Sequence, residues 1–124
     1  MKTNQVITFI VEWLKTYAKN AKVNGFVIGV SGGVDSAVTS TLCAMTGLKV
    51  MCLEMPIHQS ESHVSRAQEH INQLEGKFQN VQSTRINLTP IFDSFKDEID
   101  LKHPQKTVDM ALANLRARLG MTTL

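Results

Sequence analysis

The chain has 124 residues, 43% of them apolar and 19% charged, with a formal net charge of +2. That length holds one domain at most, and the composition suits a soluble globular chain rather than a disordered one. The weak charge gives no electrostatic basis for a nucleic-acid surface, and no apolar run approaches a membrane span. Met1-Lys2-Thr3-Asn4 leads into an amphipathic segment rather than a signal-peptide core. Cys43 and Cys52 each lie in an apolar stretch and read as reduced, buried, cytosolic thiols.

Val6, Ile10, Trp13, Leu14 and Tyr17 recur at helical spacing, which predicts an amphipathic helix over residues 4–20. Asn24-Gly25 breaks it, and residues 26–30 form a buried strand. A Gly- and Ser-rich turn follows, then a helix over 36–45 ended by Gly47. Residues 49–53 are a second strand, stopped by Pro56. A helix over 60–74 is followed by Gly76, and a third strand runs over 81–87. Thr89-Pro90 opens a short helix to about Phe95. Pro104 starts a last helix that carries the chain to its end. Strand–helix alternation implies parallel strands joined by right-handed crossovers. A doubly wound sheet ordinarily has more strands than three, with helices on both faces, so this one reads as incomplete. The last helix reaches Thr122-Thr123-Leu124 with no capping residue, so the chain reads as the N-terminal part of a longer protein.

The turn Gly29-Val30-Ser31-Gly32-Gly33-Val34-Asp35-Ser36 is the most informative stretch. Strand, Gly-rich turn and helix in succession aim backbone N–H groups and hydroxyls at one point, beside the positive end of a helix dipole. Gly32 and Gly33 permit positive φ and leave room for an anion, and Ser31 and Ser36 add hydroxyl donors. Asp35 suits such a site if it holds a Mg²⁺ that bridges to phosphate, or if it braces the loop. The stretch lacks the Lys of a Walker A loop, and position 31 is not the second Gly of a Rossmann fingerprint. Two rivals stay open. One is a plain turn with Ser31 or Asp35 as N-cap. The other is the G-x-S-x-G elbow of a serine hydrolase, with Ser31 as nucleophile.

Ser31-Gly32-Gly33-Val34-Asp35-Ser36 resembles the pyrophosphate-binding loop of the N-type ATP pyrophosphatases. That group includes NAD synthetase, GMP synthetase, asparagine synthetase and some tRNA-modifying enzymes. The resemblance implies ATP binding by residues 29 to 36 and Mg²⁺ held by Asp35. It also implies an α/β fold, a Rossmann-like doubly wound parallel sheet of the adenine-nucleotide alpha-hydrolase type.

The last helix narrows the choice. Val108, Ala111, Leu112, Leu115 and Leu119 form one apolar stripe, with Asn114 and Arg118 together on one flank and Arg116 on the other. No partner for that stripe is evident in the sequence. Asn114-Leu115-Arg116-Ala117-Arg118-Leu119-Gly120-Met121 resembles the N-x-[KR]-A-R-x-R-M helix of NAD synthetases. The match implies that Arg118, with Asn114 beside it, contacts nicotinic acid adenine dinucleotide (deamido-NAD), and that a homodimer forms through this helix. Leu53-Glu54-Met55-Pro56 is similar to the strand end bordering the adenine pocket, and Gln59 lies at the right place to touch adenine. The chain departs from the pattern at Gly120, where the family often has Arg, and at Glu54, where several bacterial members have Arg.

The combined resemblance is to the N-terminal part of the ammonia-dependent NAD synthetases, with residues 1–124 as part of a single ATP-pyrophosphatase domain. It implies amidation of deamido-NAD with ATP and ammonia through an acyl-adenylate, releasing AMP and pyrophosphate, in the cytoplasm. GMP synthetase, a tRNA-modifying ligase, or a non-catalytic nucleotide-binding fragment are the alternatives beside the hydrolase. His58, Glu61, His63 and His70 have no metal-site spacing, and His63 and His70 read as solvated surface histidines. Asp93, Asp97, Glu98 and Asp100 read as a solvated helix end.

Overall fold

A computed structural model describes residues 2–100 and 105–124, with the side chains of 2–99 and 109–124. Its elements are α1 (Thr3–Asn20), β1 (Gly25–Gly29), α2 (Val34–Met45), β2 (Lys49–Glu54), α3 (Glu61–Lys77), β3 (Val81–Arg85), α4 (Thr89–Asp100) and α5 (Gln105–Thr123). The strands form one parallel sheet in the order β1-β2-β3. Phe26 stands opposite Val50 and Ile28 opposite Cys52, while Val50 in turn faces Val81.

Strand neighbours in space are neighbours in sequence, and α2 and α3 make the two crossovers. Two right-handed crossovers that step in the same direction put both helices on the same face. Alternate residues of the strands then supply one core. Val30, Val50, Cys52 and Val81 meet Cys43 and Ala44 of α2 and Ala67, Ile71 and Leu74 of α3. Phe26 and Ile28 pack against the same cluster. The opposite face is barer: Val27 is 51% exposed. This is the α/β parallel sheet that the alternation predicts, with few strands and an uncovered face.

A second, smaller core sits at the carboxyl end of the sheet. Ile57, Leu88 and Phe92 are buried there, with Leu112, Leu115 and Leu119 of α5 packed on them. The apolar stripe of the last helix therefore has its partner within the chain, contrary to the sequence expectation. Sequence alone missed it because the partners are scattered over a loop and α4. Pro104 and the side chain of Val108 lie outside the described residues.

Three boundaries differ from expectation. Helix α3 passes through Gly76 and ends at Lys77, where the Phe78 N–H reaches the Leu74 carbonyl at 2.8 Å. Phe78 packs on the main core, so the extra turn is drawn by burial. Helix α4 continues beyond Phe95 to Asp100, and β3 stops at Arg85 rather than Asn87. Among the described residues no helix is long and apolar enough to cross a membrane.

Candidate functional site

The Val30 N–H still bonds to the Leu53 carbonyl at 2.8 Å, so the sheet holds the chain until the turn begins. Gly32 then takes φ +85°, the left-handed region where a side chain is strained. Gly33 is the N-cap of α2, and no side chain caps the helix. Neither Ser31 nor Asp35 fills that role. The first-turn N–H groups of α2 are therefore left facing the turn, as helix geometry requires.

The two serines brace the loop. The Ser31 N–H donates to Ser36 Oγ at 3.1 Å, and the hydroxyls lie 3.3 Å apart. The Gly33 N–H donates to Ser31 Oγ at 3.3 Å, and Ser36 Oγ donates to the Gly33 carbonyl at the same distance. Ser31 thus has hydroxyl and backbone partners and no imidazole among them, which counts against a hydrolase nucleophile. Asp35 is exposed in the first turn of α2, beside the helix N-terminus.

A cavity of about 190 Å³ opens next to this loop, with Gly29, Val30 and Ser31 on one wall. Glu54, Met55 and Pro56 come from the end of β2. Gln59 and three α3 residues, His63, Val64 and Ala67, complete it. Gln59 is where the sequence places it. His63 was expected on a solvated surface; it is exposed, but it also lines this cavity, with Nδ1 2.6 Å from Ser60 Oγ.

Glu54 is 4% exposed. Its Oε2 accepts from Arg85 Nε at 2.9 Å and lies 2.8 Å from Arg85 Nη2. The two residues are register partners on adjacent strands, Glu54 of β2 and Arg85 of β3. A carboxylate at the end of one strand and an Arg at the end of the next could have signalled the pair.

His70 was also expected on the surface. It is half-buried instead, with Nε2 2.8 Å from the Oγ of fully buried Ser40, and burial pushes its pKa down. Burial likewise pushes the Cys43 and Cys52 thiols up, so they act as core residues. His58 pairs with Asp93 at 2.5 Å and meets the edge of Phe92, so Asp93 is part of a contact rather than merely solvated. No group of three or more metal-ligating side chains occurs among the described residues.

Asn114 and Arg118 are exposed on α5 and do not line the cavity. Arg116 lies 5.4 Å from the centre of the Phe92 ring and helps seat the helix. A Cβ on Gly120 would meet only Met55, at 4.0 Å, so nothing in the fold requires glycine there.

A phosphate-type loop between β1 and α2, with a purine-sized cavity beside it, is thus in place. The family model for NAD synthase matches residues 6–124. The chain belongs to the NAD synthase family. It is 35% identical to the NH₃-dependent NAD⁺ synthetase of Mesoplasma florum, over all of this chain and 49% of that protein. It is 31% identical to the enzyme of the same name from Carboxydothermus hydrogenoformans, over 93% of this chain and 46% of that one. Among solved structures, the NH₃-dependent NAD synthetase of Campylobacter jejuni, in complex with nitrate, superposes with a TM-score of 0.81 at 28% identity. It covers all of this chain, which covers 51% of it. The NMN synthetase of Francisella tularensis gives 0.77 at 29% identity, over 94% of this chain and 47% of that one. The chain therefore spans about half the length of the curated relatives it matches.

Proposed function

We propose that residues 1–124 are the N-terminal part of a single ATP-pyrophosphatase domain that amidates deamido-NAD to NAD with ammonia. The observation that carries this reading is the serine-braced loop at the uncapped N-terminus of α2, opening onto the cavity. In the reaction, a carboxylate oxygen of deamido-NAD attacks the α-phosphorus of ATP. The bond from that phosphorus to the bridging oxygen breaks, and pyrophosphate leaves with the electron pair. Ammonia then attacks the acyl carbon and AMP departs. Ser31, Gly32, Gly33 and Ser36 offer donors where the departing pyrophosphate gathers charge, which is stabilisation by pre-placed dipoles. No side-chain nucleophile is needed.

Asp35 would hold the Mg²⁺. A single exposed carboxylate fits that ion when ATP oxygens and water complete its shell, and Mg²⁺ would neutralise charge on the leaving pyrophosphate. Asn114 and Arg118 would meet the dinucleotide at a homodimer contact. With the apolar stripe of α5 turned inward, the surface left for that contact is Met110, Asn114, Arg118 and Met121, which share one helical face. Sedimentation at rising concentration tests the dimer, and a monomer throughout refutes it. The cytoplasm is the proposed compartment, consistent with two unpaired buried cysteines.

Because one solved relative is an NMN synthetase, amidation of the mononucleotide is the second reading. Assaying a full-length relative-sized protein with both acids separates the two. For the site itself, a non-hydrolysable ATP analogue should shift the NMR signals of residues 29 to 36. Shifts confined to another face would overturn the assignment.

A further inference from the structure

Glu54 is a carboxylate in a cavity whose other walls are largely apolar: Met55, Pro56, Val64 and Ala67. It is 4% exposed. Both Arg85 contacts go to one oxygen, Oε2, and Oε1 takes no hydrogen bond from the described residues. A buried carboxylate oxygen without a donor is costly. Stability does not explain keeping it, because a buried ion pair replaced by apolar side chains of similar size is often no less stable. The arrangement makes sense if a ligand supplies the missing donor.

We propose that Glu54, fixed by Arg85, selects the base of the bound nucleotide by accepting a hydrogen bond from its exocyclic amino group. This rests on the reading of residues 29 to 36 as a phosphate loop. Gly29, Val30 and Ser31 belong to the same cavity, so a nucleotide with phosphates at the loop has its base within reach of Glu54. The apolar walls suit the faces of a heterocycle. A guanine edge would present two adjacent donors and match a carboxylate with both oxygens free. Oε2 is already occupied, so the single amino donor of adenine is the fit. Arg85 touches the carboxylate and is a positioning residue.

The test compares ATP, purine riboside triphosphate (which lacks only the 6-amino group), GTP and inorganic pyrophosphate by calorimetry and NMR on the 124-residue chain. The wild type should bind ATP roughly 10- to 100-fold more tightly than purine riboside triphosphate, the loss of one hydrogen bond to a buried charge. In Glu54→Met/Arg85→Met, which leaves no lone buried charge, that ratio should fall to about threefold or less, with pyrophosphate binding unchanged. Equal wild-type binding of the two purines overturns the proposal without need of any variant. GTP binding as tight as ATP overturns it too, as does a ratio retained in the double variant. If pyrophosphate fails to perturb residues 29 to 36, the loop reading itself falls and takes this one with it. Pyrophosphate binding with no base discrimination sinks only the role of Glu54.

Discussion

The His63 carbonyl oxygen stands 2.6 Å from the point where a Cβ on Gly32 would lie, and Gly32 holds φ at +85°. The loop is therefore pressed against the backbone of α3, the helix that also walls the cavity. Gly33 differs: its φ is −89°, and its Cβ would meet Ser31 Oγ at an ordinary 3.4 Å. Gly32→Ala should cost about 2 kcal/mol or more, from left-handed strain plus a backbone clash. Gly33→Ala should change stability by less than about 1 kcal/mol but weaken nucleotide binding, because its Cβ stands where an anion approaches. Denaturant unfolding and ATP-analogue titration check both. Equal stabilities of the two variants would refute the distinction.

Asp35→Asn should weaken Mg²⁺-ATP binding while leaving the fold nearly intact. The carboxylate is exposed in the first turn of α2, so its neutralisation removes a favourable helix-dipole interaction of about 0.5 kcal/mol. It also removes repulsion toward phosphate, so inorganic pyrophosphate without metal should bind as well or better. A large loss of apo stability in thermal melts would make Asp35 a brace of the loop instead.

The phosphate loop was legible because its chemistry is local: glycines, serines and a helix start within eight consecutive residues. The strand–helix alternation was legible for the same reason, since periodicity is a property of short windows. What stayed hidden depends on contacts between distant segments. His70 looked like surface because the residue that buries it, Ser40, is thirty positions earlier. The stripe on α5 looked unpartnered because Ile57, Leu88 and Phe92 meet only after the chain folds. Glu54 read as a mere departure from a pattern until the register set Arg85 beside it.

His70 gives the chain a pH dependence with a definite sign. Burial lowers its pKa from the ordinary 6.5, so the folded chain prefers the neutral ring. Stability from this source is complete above pH 6.5, declines as pH drops below that value, and goes on declining until the folded value is passed. His70→Gln retains a partner for Ser40 and does not titrate. Its melting temperature should fall less than that of the wild type between pH 7 and pH 5. An identical fall in both would place the pH dependence elsewhere.

Phe92 holds the second core together. It is 5% exposed, contacts the edge of His58 and lies under Arg116. Phe92→Ala should cost about 3–5 kcal/mol for the cavity it leaves. The loss should be local: amide exchange should quicken along α5, whose leucines pack on this cluster, while the amides of β2 in the main core keep their protection. Uniform acceleration across both cores would mean that they unfold as one unit.

The 124-residue chain should bind nucleotide without forming NAD. Amidation through an acyl-adenylate requires ATP, a carboxylate substrate and ammonia in one geometry, and small misplacements cost orders of magnitude in rate. The described residues present the loop, the cavity and one exposed carboxylate, Asp35, but no cluster of metal-ligating side chains. Asn114 and Arg118 stand on α5, off the cavity walls, so a dinucleotide that reaches both would need further surface to orient it. The curated relatives are about twice as long, which leaves ample chain for that surface. The measurement is ATP- and ammonia-dependent NAD formation from deamido-NAD, run beside calorimetry with an ATP analogue. The expected result is binding with no turnover. Turnover by this chain would show that the loop and its neighbours suffice, and that the remaining chemistry needs nothing outside these residues.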